Sequence, residues 1–128
     1  MEIDCLDHLV LTVRDIEATS AFYTRVLGME AVTFGEGRKA LRFGRQKINL
    51  HEARHEFAPY AAAPTPGSAD LCLLTSHSIE RVIEHITSCG VPVELGPVLR
   101  TGAMGDILSI YLRDPDGNLI EIANEAAN

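Results

Sequence analysis

A chain of 128 residues, 46% of them hydrophobic and 23% charged, is long enough to bury a substantial core and short enough to be a single domain. Its formal net charge of −7 argues against nucleic acid or an anionic membrane as a partner, because both select basic surfaces. No apolar run approaches the ~20 residues that span a bilayer, and "MEIDCLDHLV" lacks the basic region and apolar run of an export signal, so a cytoplasmic location is expected.

"DHLVLTV" (residues 7–13) alternates, with Leu9, Leu11 and Val13 facing one way and His8, Val10 and Thr12 the other, which is the pattern of a strand. "RDIEATSAFYTRVLG" (14–28) predicts a helix with Asp15 as N-cap, an apolar stripe of Ile16, Phe22, Val26 and Leu27, and Gly28 as its closing residue. Three short strands follow at Glu30–Phe34, Lys39–Phe43 and Gln46–His51, separated by the tight turns "GEGR" and "GRQ". "EFAPYAAAPTPGS" (56–68) has no periodicity and reads as a surface linker.

The second half repeats this order. Asp70–Thr75 predicts a strand, and Ser78–Cys89 a helix with Ile79, Val82, Ile83 and Ile86 as its apolar face and Gly90 at its end. Strands at Val93–Leu95, Ile107–Leu112 and Leu119–Ala123 complete it, the last entered through the turn "DPDGN" (114–118). Gly28 and Gly90 stand 62 residues apart, as do His8 and Asp70, and the shared offset points to a duplicated β-α-β-β-β unit. There is no phosphate-cradling glycine loop, G-x-S-x-G or H-E-x-x-H motif, so nucleotide binding is not expected. The cysteines, Cys5, Cys72 and Cys89, are odd in number and lack Cys-x-x-Cys spacing; they are read as reduced, buried thiols.

Four strands carry a potential ligand opposite their aliphatic stripe: His8, Asn49 or His51, Asp70, and Glu121. An isolated buried carboxylate costs several kcal/mol unless it is paired, hydrogen-bonded or bound to a metal. Carboxylates and an imidazole converging together would need a cation, and such ligands suit divalent Mn, Fe, Co, Ni or Zn alike. The remaining histidines, His55, His77 and His85, fall in the linker, near a helix start and on a helix, and are read as surface residues.

"DHLVLTVRDIEATSAFYTRVLGMEAV" resembles the opening module of the vicinal oxygen chelate superfamily, which includes glyoxalase I, extradiol dioxygenases, fosfomycin- and bleomycin-resistance proteins and methylmalonyl-CoA epimerases; "DPDGNLIEI" resembles its closing strand. "FGRQKINLHEA", "PTPGSADLCL" and "GPVLRTGA" resemble a branch labelled as glyoxalase-domain or ring-cleaving-dioxygenase-related proteins. The resemblance implies an α+β fold of two βαβββ modules (about 1–57 and 69–128, linker about 58–68) curling into a half-open barrel. It implies a homodimer, a divalent metal (Ni, Co, Mn, Zn or Fe) and a small-molecule substrate. His8 matches the first-strand ligand and Glu121 the last-strand ligand; the fourth-strand carboxylate position falls on Asn49, with His51 two residues on, and the second-module histidine position falls on Asp70. The expected activity is a glyoxalase-like lyase or isomerase with Glu121 as base. Alternatives are an extradiol-type dioxygenase with Tyr111 beside the site, or a non-catalytic drug- or metabolite-binding resistance protein. "LRTGAMGD" (99–106) is expected to be a mobile loop carrying Arg100 for an anionic substrate.

Overall fold

A computed structural model describes residues 1–126. The chain divides into two compact units, Met1–Ser68 and Ala69–Asn128, each built from the same element order: β1 (His8–Val13), α1 (Ile16–Arg25), β2 (Glu30–Phe34), β3 (Arg38–Phe43) and β4 (Gln46–Glu52), then β5 (Asp70–Leu74), α2 (Ile79–Ser88), β6 (Leu95–Thr101), β7 (Asp106–Arg113) and β8 (Leu119–Glu125). Their sheets have identical topology, β1-β4-β3-β2 and β5-β8-β7-β6. In each, the first strand runs parallel to the last, and the remaining neighbours are antiparallel. The predicted duplication and α+β class are therefore present in full. Among the described residues no helix is long and apolar enough to cross a membrane.

Alternation decides which face meets the helix. In the first unit Leu11, Val13, Leu41, Ile48 and Leu50 are buried along with Tyr23 and Val26; in the second, Ile110, Leu112, Ile120 and Ile122 are buried along with Ile79 and Ile86 of α2. Both helix starts are capped as predicted. Asp15 accepts from the Ala18 N–H at 3.1 Å, and Ser78 accepts from Arg81 at 3.3 Å. Gly28 and Gly90 leave their helices at φ +69 and +77, a region that favours glycine.

Several expectations need correction. The fully buried residues of α1 are Thr19 and Tyr23, whereas Phe22 is only half-buried, because a hydroxyl at a close-packed position escapes a search for aliphatic periodicity. The cysteines are not buried: Cys5 and Cys72 are exposed and Cys89 is intermediate. The strand expected at Val93–Leu95 is instead β6, Leu95–Thr101, so Leu99, Arg100 and Thr101 belong to the sheet rather than to a loop. The β6–β7 pairing slips between Leu95 and Val98, and a Cβ at Gly96 (φ +114) would lie 2.5 Å from the Ser109 carbonyl oxygen, so only glycine lets the two backbones approach here. What remains of the expected loop is closed by a hydrogen bond from the Gly102 N–H to the Gly105 carbonyl.

The turn before β8 is tightly built. Asp114 Oδ1 accepts from the N–H groups of Asp116 and Asn118, both at 2.9 Å, and Asn118 Nδ2 donates to Asp114 Oδ2 at 2.8 Å. Asn118 Oδ1 accepts from the Ala69 N–H at 2.9 Å. One side chain, 1% exposed, thus ties the entry of β8 to the entry of β5.

Candidate functional site

Each sheet has a face opposite its helix. On the first, β1 contributes His8, Val10 and Thr12, which pair in register with Lys47, Asn49 and His51 of β4. On the second, β5 contributes Asp70, Cys72 and Leu74, which pair with Leu119, Glu121 and Ala123 of β8. His8 and Asn49 therefore stand one strand apart and two residues along, and Asp70 and Glu121 stand in the same diagonal relation. The duplicated topology puts a polar pair at equivalent places in both units.

Within the first unit, His8 is exposed and its Nδ1 lies 2.9 Å from Asp7 Oδ1. An imidazole that gives its Nδ1–H to a carboxylate presents Nε2 as the lone-pair nitrogen. Asn49 and His51 are 6% and 3% exposed, and Asn49 Oδ1 and His51 Nδ1 are buried without hydrogen-bond partners among the described residues. His51 Nε2 lies 3.5 Å from the Arg38 guanidinium, and its ring meets Phe57 edge to face at 5.7 Å. Burial first, and then the Arg38 charge, hold the imidazole below its ordinary pKa, with Glu56 opposing. His51 is neutral near pH 7.

Within the second unit, the half-buried Glu121 is flanked by Cys72 on β5 and Tyr111 on β7. The Cys72 residue is exposed, yet its thiol is partly withdrawn from solvent and donates to Glu121. Partial burial, the Glu121 charge and that hydrogen bond, with Asp70 adding, push the thiol up to about 11. Tyr111 Oη accepts from Arg100 Nε at 2.9 Å, so Arg100 lies on the sheet against Tyr111, the register partner of Glu121, instead of on a loop. Asp70 is exposed at the first position of β5. A cavity of about 410 Å³ opens beside Cys72, lined also by Leu74, Thr101, Met104, Ile107 and Glu125. His55, His77 and His85 are exposed, as expected. Among the described residues no three or more His, Cys, Asp or Glu side chains form a metal-holding group.

Three neighbours were not singled out by sequence: Cys72, Arg38 and Lys47. Cys72 shares the alternation of Asp70 and was readable on that ground. Arg38 meets His51 only through the β3–β4 register, which sequence alone does not supply.

The Cys72 environment has a chemical consequence. A thiol near 11 is ionised in roughly 1 molecule in 3,000 at pH 7.5, so alkylation by iodoacetamide is expected to be far slower than for an ordinary exposed thiol. Peptide mass spectrometry over a time course reads this directly. Glu121→Gln should speed Cys72 labelling, since it removes the charge opposing ionisation. Labelling of the parent protein at the rate of a free thiol would contradict the contact.

A model of the Glyoxalase/Bleomycin resistance protein/Dioxygenase superfamily matches residues 5–122. Virulence protein STM3117 of Salmonella typhimurium is 61% identical over 123 residues, which are 96% of this chain and 85% of that protein. Its crystal structure superposes with a TM-score of 0.97 at 60% identity, covering 98% of this chain and 100% of that one. Glyoxalase domain-containing protein RDO1 of Mycosarcoma maydis is 55% identical over 124 residues, 97% of this chain and 70% of that protein. Lactoylglutathione lyase from Agrobacterium tumefaciens shares the fold, with a TM-score of 0.73 at 24% identity over 96% of this chain and 95% of that one. With its duplicated βαβββ units and a family match over nearly its whole length, the chain belongs to the glyoxalase/bleomycin resistance/dioxygenase superfamily.

Proposed function

We propose that the chain is a metal-dependent vicinal oxygen chelate enzyme, a glyoxalase-like lyase or isomerase acting on a small substrate with two adjacent oxygens. The observation that supports it best is the pair of equivalent diagonals, His8 with Asn49 and Asp70 with Glu121. Each unit carries donors whose chemistry suits a divalent cation: in the first, an imidazole oriented by Asp7 and a buried amide oxygen with no hydrogen-bond partner among the described residues; in the second, two carboxylates. We assign Asn49 rather than His51 to the ligand set, because the Arg38 guanidinium beside His51 opposes a second cation there. When bound, Mn, Fe, Co, Ni or Zn would act as a Lewis acid toward the substrate oxygens.

The chain's own contribution is proton transfer and positioning. Glu121 projects from the middle of a strand, so its backbone is fixed by pairing on both sides. Its carboxylate is the group we assign to moving a proton at the carbon beside a carbonyl. The Cys72 thiol, held protonated, donates to that carboxylate and orients it. Tyr111, pinned by Arg100, borders the same residue. The Glu121–Tyr111 pairing also favours a second reading, an extradiol-type ring-cleaving activity with Fe(II), in which a phenol beside the site assists the substrate. Assays of protein loaded in turn with Ni, Co, Zn, Mn and Fe(II) separate the two. Hemithioacetal turnover is expected under the first reading, and oxygen uptake on catechols under the second. Inactivity of every loaded form on both substrate classes would favour a binding protein instead.

A further inference from the structure

In a chain of net charge −7, the β2–β4 region of the first unit's open face is basic. Phe34 of β2 pairs with Arg38 of β3, and Arg42 is ion-paired with Glu30. Arg38 and Lys47 form no ion pair among the described residues, and both are only partly exposed. The Arg38 guanidinium carbon lies 5.3 Å from the Phe34 ring centroid and 4.7 Å from that of Phe57. Lys47 Nζ lies 3.7 Å from the same Phe34 ring. Two like charges gathered on one aromatic ring repel each other, and ring faces offset only part of that repulsion. No carboxylate pairs directly with Arg38 or Lys47 among the described residues, so a bound anion would supply the counter-charge there. Glu56 also acts on His51, though more weakly than Arg38, and its Oε2 is buried without a hydrogen-bond partner.

A second observation points to the same ligand. With its Nε2 facing an arginine, which only donates, His51 carries its proton on Nδ1, and that nitrogen is buried without a partner. Arg38, Lys47 and His51 thus offer only donors. A carboxylate only accepts, and its two oxygens match the edge of a guanidinium. Phe57, 43% exposed, leaves an apolar surface beside the charges.

We propose that Arg38, Lys47 and His51 form a carboxylate-binding subsite on the first unit, and that the substrate is a small acid whose apolar body rests on Phe57. As a statement about substrate this rests on the enzyme function proposed above; as a binding site it is read without metal.

The test is amide NMR titration of the chelator-treated full chain with sodium benzoate, benzamide and inorganic phosphate at matched ionic strength. Saturable benzoate shifts at residues 38, 47, 49 and 51 are expected, with no saturation by benzamide. Arg38→Gln and Lys47→Met should each weaken benzoate about tenfold, with native spectra confirming the fold; if one variant unfolds, the other decides. Absence of saturation, equal affinity for benzamide, preference for phosphate, or undiminished binding in a folded variant would overturn the subsite. Glu121→Gln should bind benzoate normally, so loss of metal chemistry and loss of this subsite give separate results.

Discussion

Glu121→Gln is expected to lower kcat at least about 100-fold, the usual contribution of a general base, while leaving the unfolding midpoint nearly unchanged. The amide keeps the volume and can still accept from the Cys72 thiol, but it cannot take a proton. Because β8 is paired on both sides at this residue, the backbone has no reason to move. The measurement is steady-state turnover of the metal-loaded enzyme on whichever substrate class it accepts, beside thermal unfolding of the same preparation. A variant that turns over normally would remove Glu121 from the chemistry. One that loses activity only by unfolding would make it a structural residue.

The largest effect on stability is expected at Asn118, well away from that chemistry. Asn118→Ala deletes the acceptor for the Ala69 N–H and the donor to Asp114 Oδ2, and it leaves a cavity at a residue 1% exposed. Leaving buried polar groups unpaired costs about 1–3 kcal/mol each, so a loss near 3 kcal/mol and a fall in Tm of roughly 10 °C are expected. Asn118→Asp should fare little better, because it sets a second carboxylate against Asp114. Denaturant unfolding gives the value directly. A change within about 0.5 kcal/mol, the range of ordinary surface substitutions, would show that the turn does not hold β8 to β5.

These two residues also mark what was legible in the sequence. "NLIEIAN" reads as a strand because its aliphatic residues alternate, and Glu121 stands out because it breaks an otherwise apolar face. A polar position opposite an aliphatic stripe likewise singles out His8, Asn49 or His51, and Asp70, and the common 62-residue spacing of Gly28 to Gly90 and His8 to Asp70 anticipates the duplicated topology. Asn118 reads only as turn chemistry. Its hydrogen bond to Ala69 spans 49 residues and follows from the parallel pairing of β5 with β8, which local patterning does not encode. β6 lies at Leu95–Thr101 rather than Val93–Leu95 for a related reason. Six of its seven residues are exposed, so no alternation marks it, and Gly96 and Pro97 suggest a loop where they instead admit a close crossing of backbones. In sequence, alternation puts Lys47 on the face of Asn49 and His51, and Arg38 falls at the end of the turn "GEGR". Only the β2–β3–β4 register gathers them on Phe34 and beside His51.

On β4 the first unit offers two neighbouring donors on one face, Asn49 and His51. The resemblance leaves Asn49 and His51 as alternatives for one ligand. The cationic and aromatic surroundings of His51 support giving it to substrate recognition, and the orphaned oxygen of Asn49 supports giving that residue to the metal. His51→Gln is then a probe of substrate affinity, and Asn49→Ala a probe of metal retention.

Elemental analysis of protein purified without chelator tests the metal-dependent reading most directly. About one equivalent of a divalent transition metal per chain is expected in the parent protein, falling to background in His8→Ala and Glu121→Ala while both variants keep their native circular dichroism. No stoichiometric metal after loading with Mn, Fe, Co, Ni or Zn, or equal retention by the folded His8→Ala and Glu121→Ala variants, would contradict it.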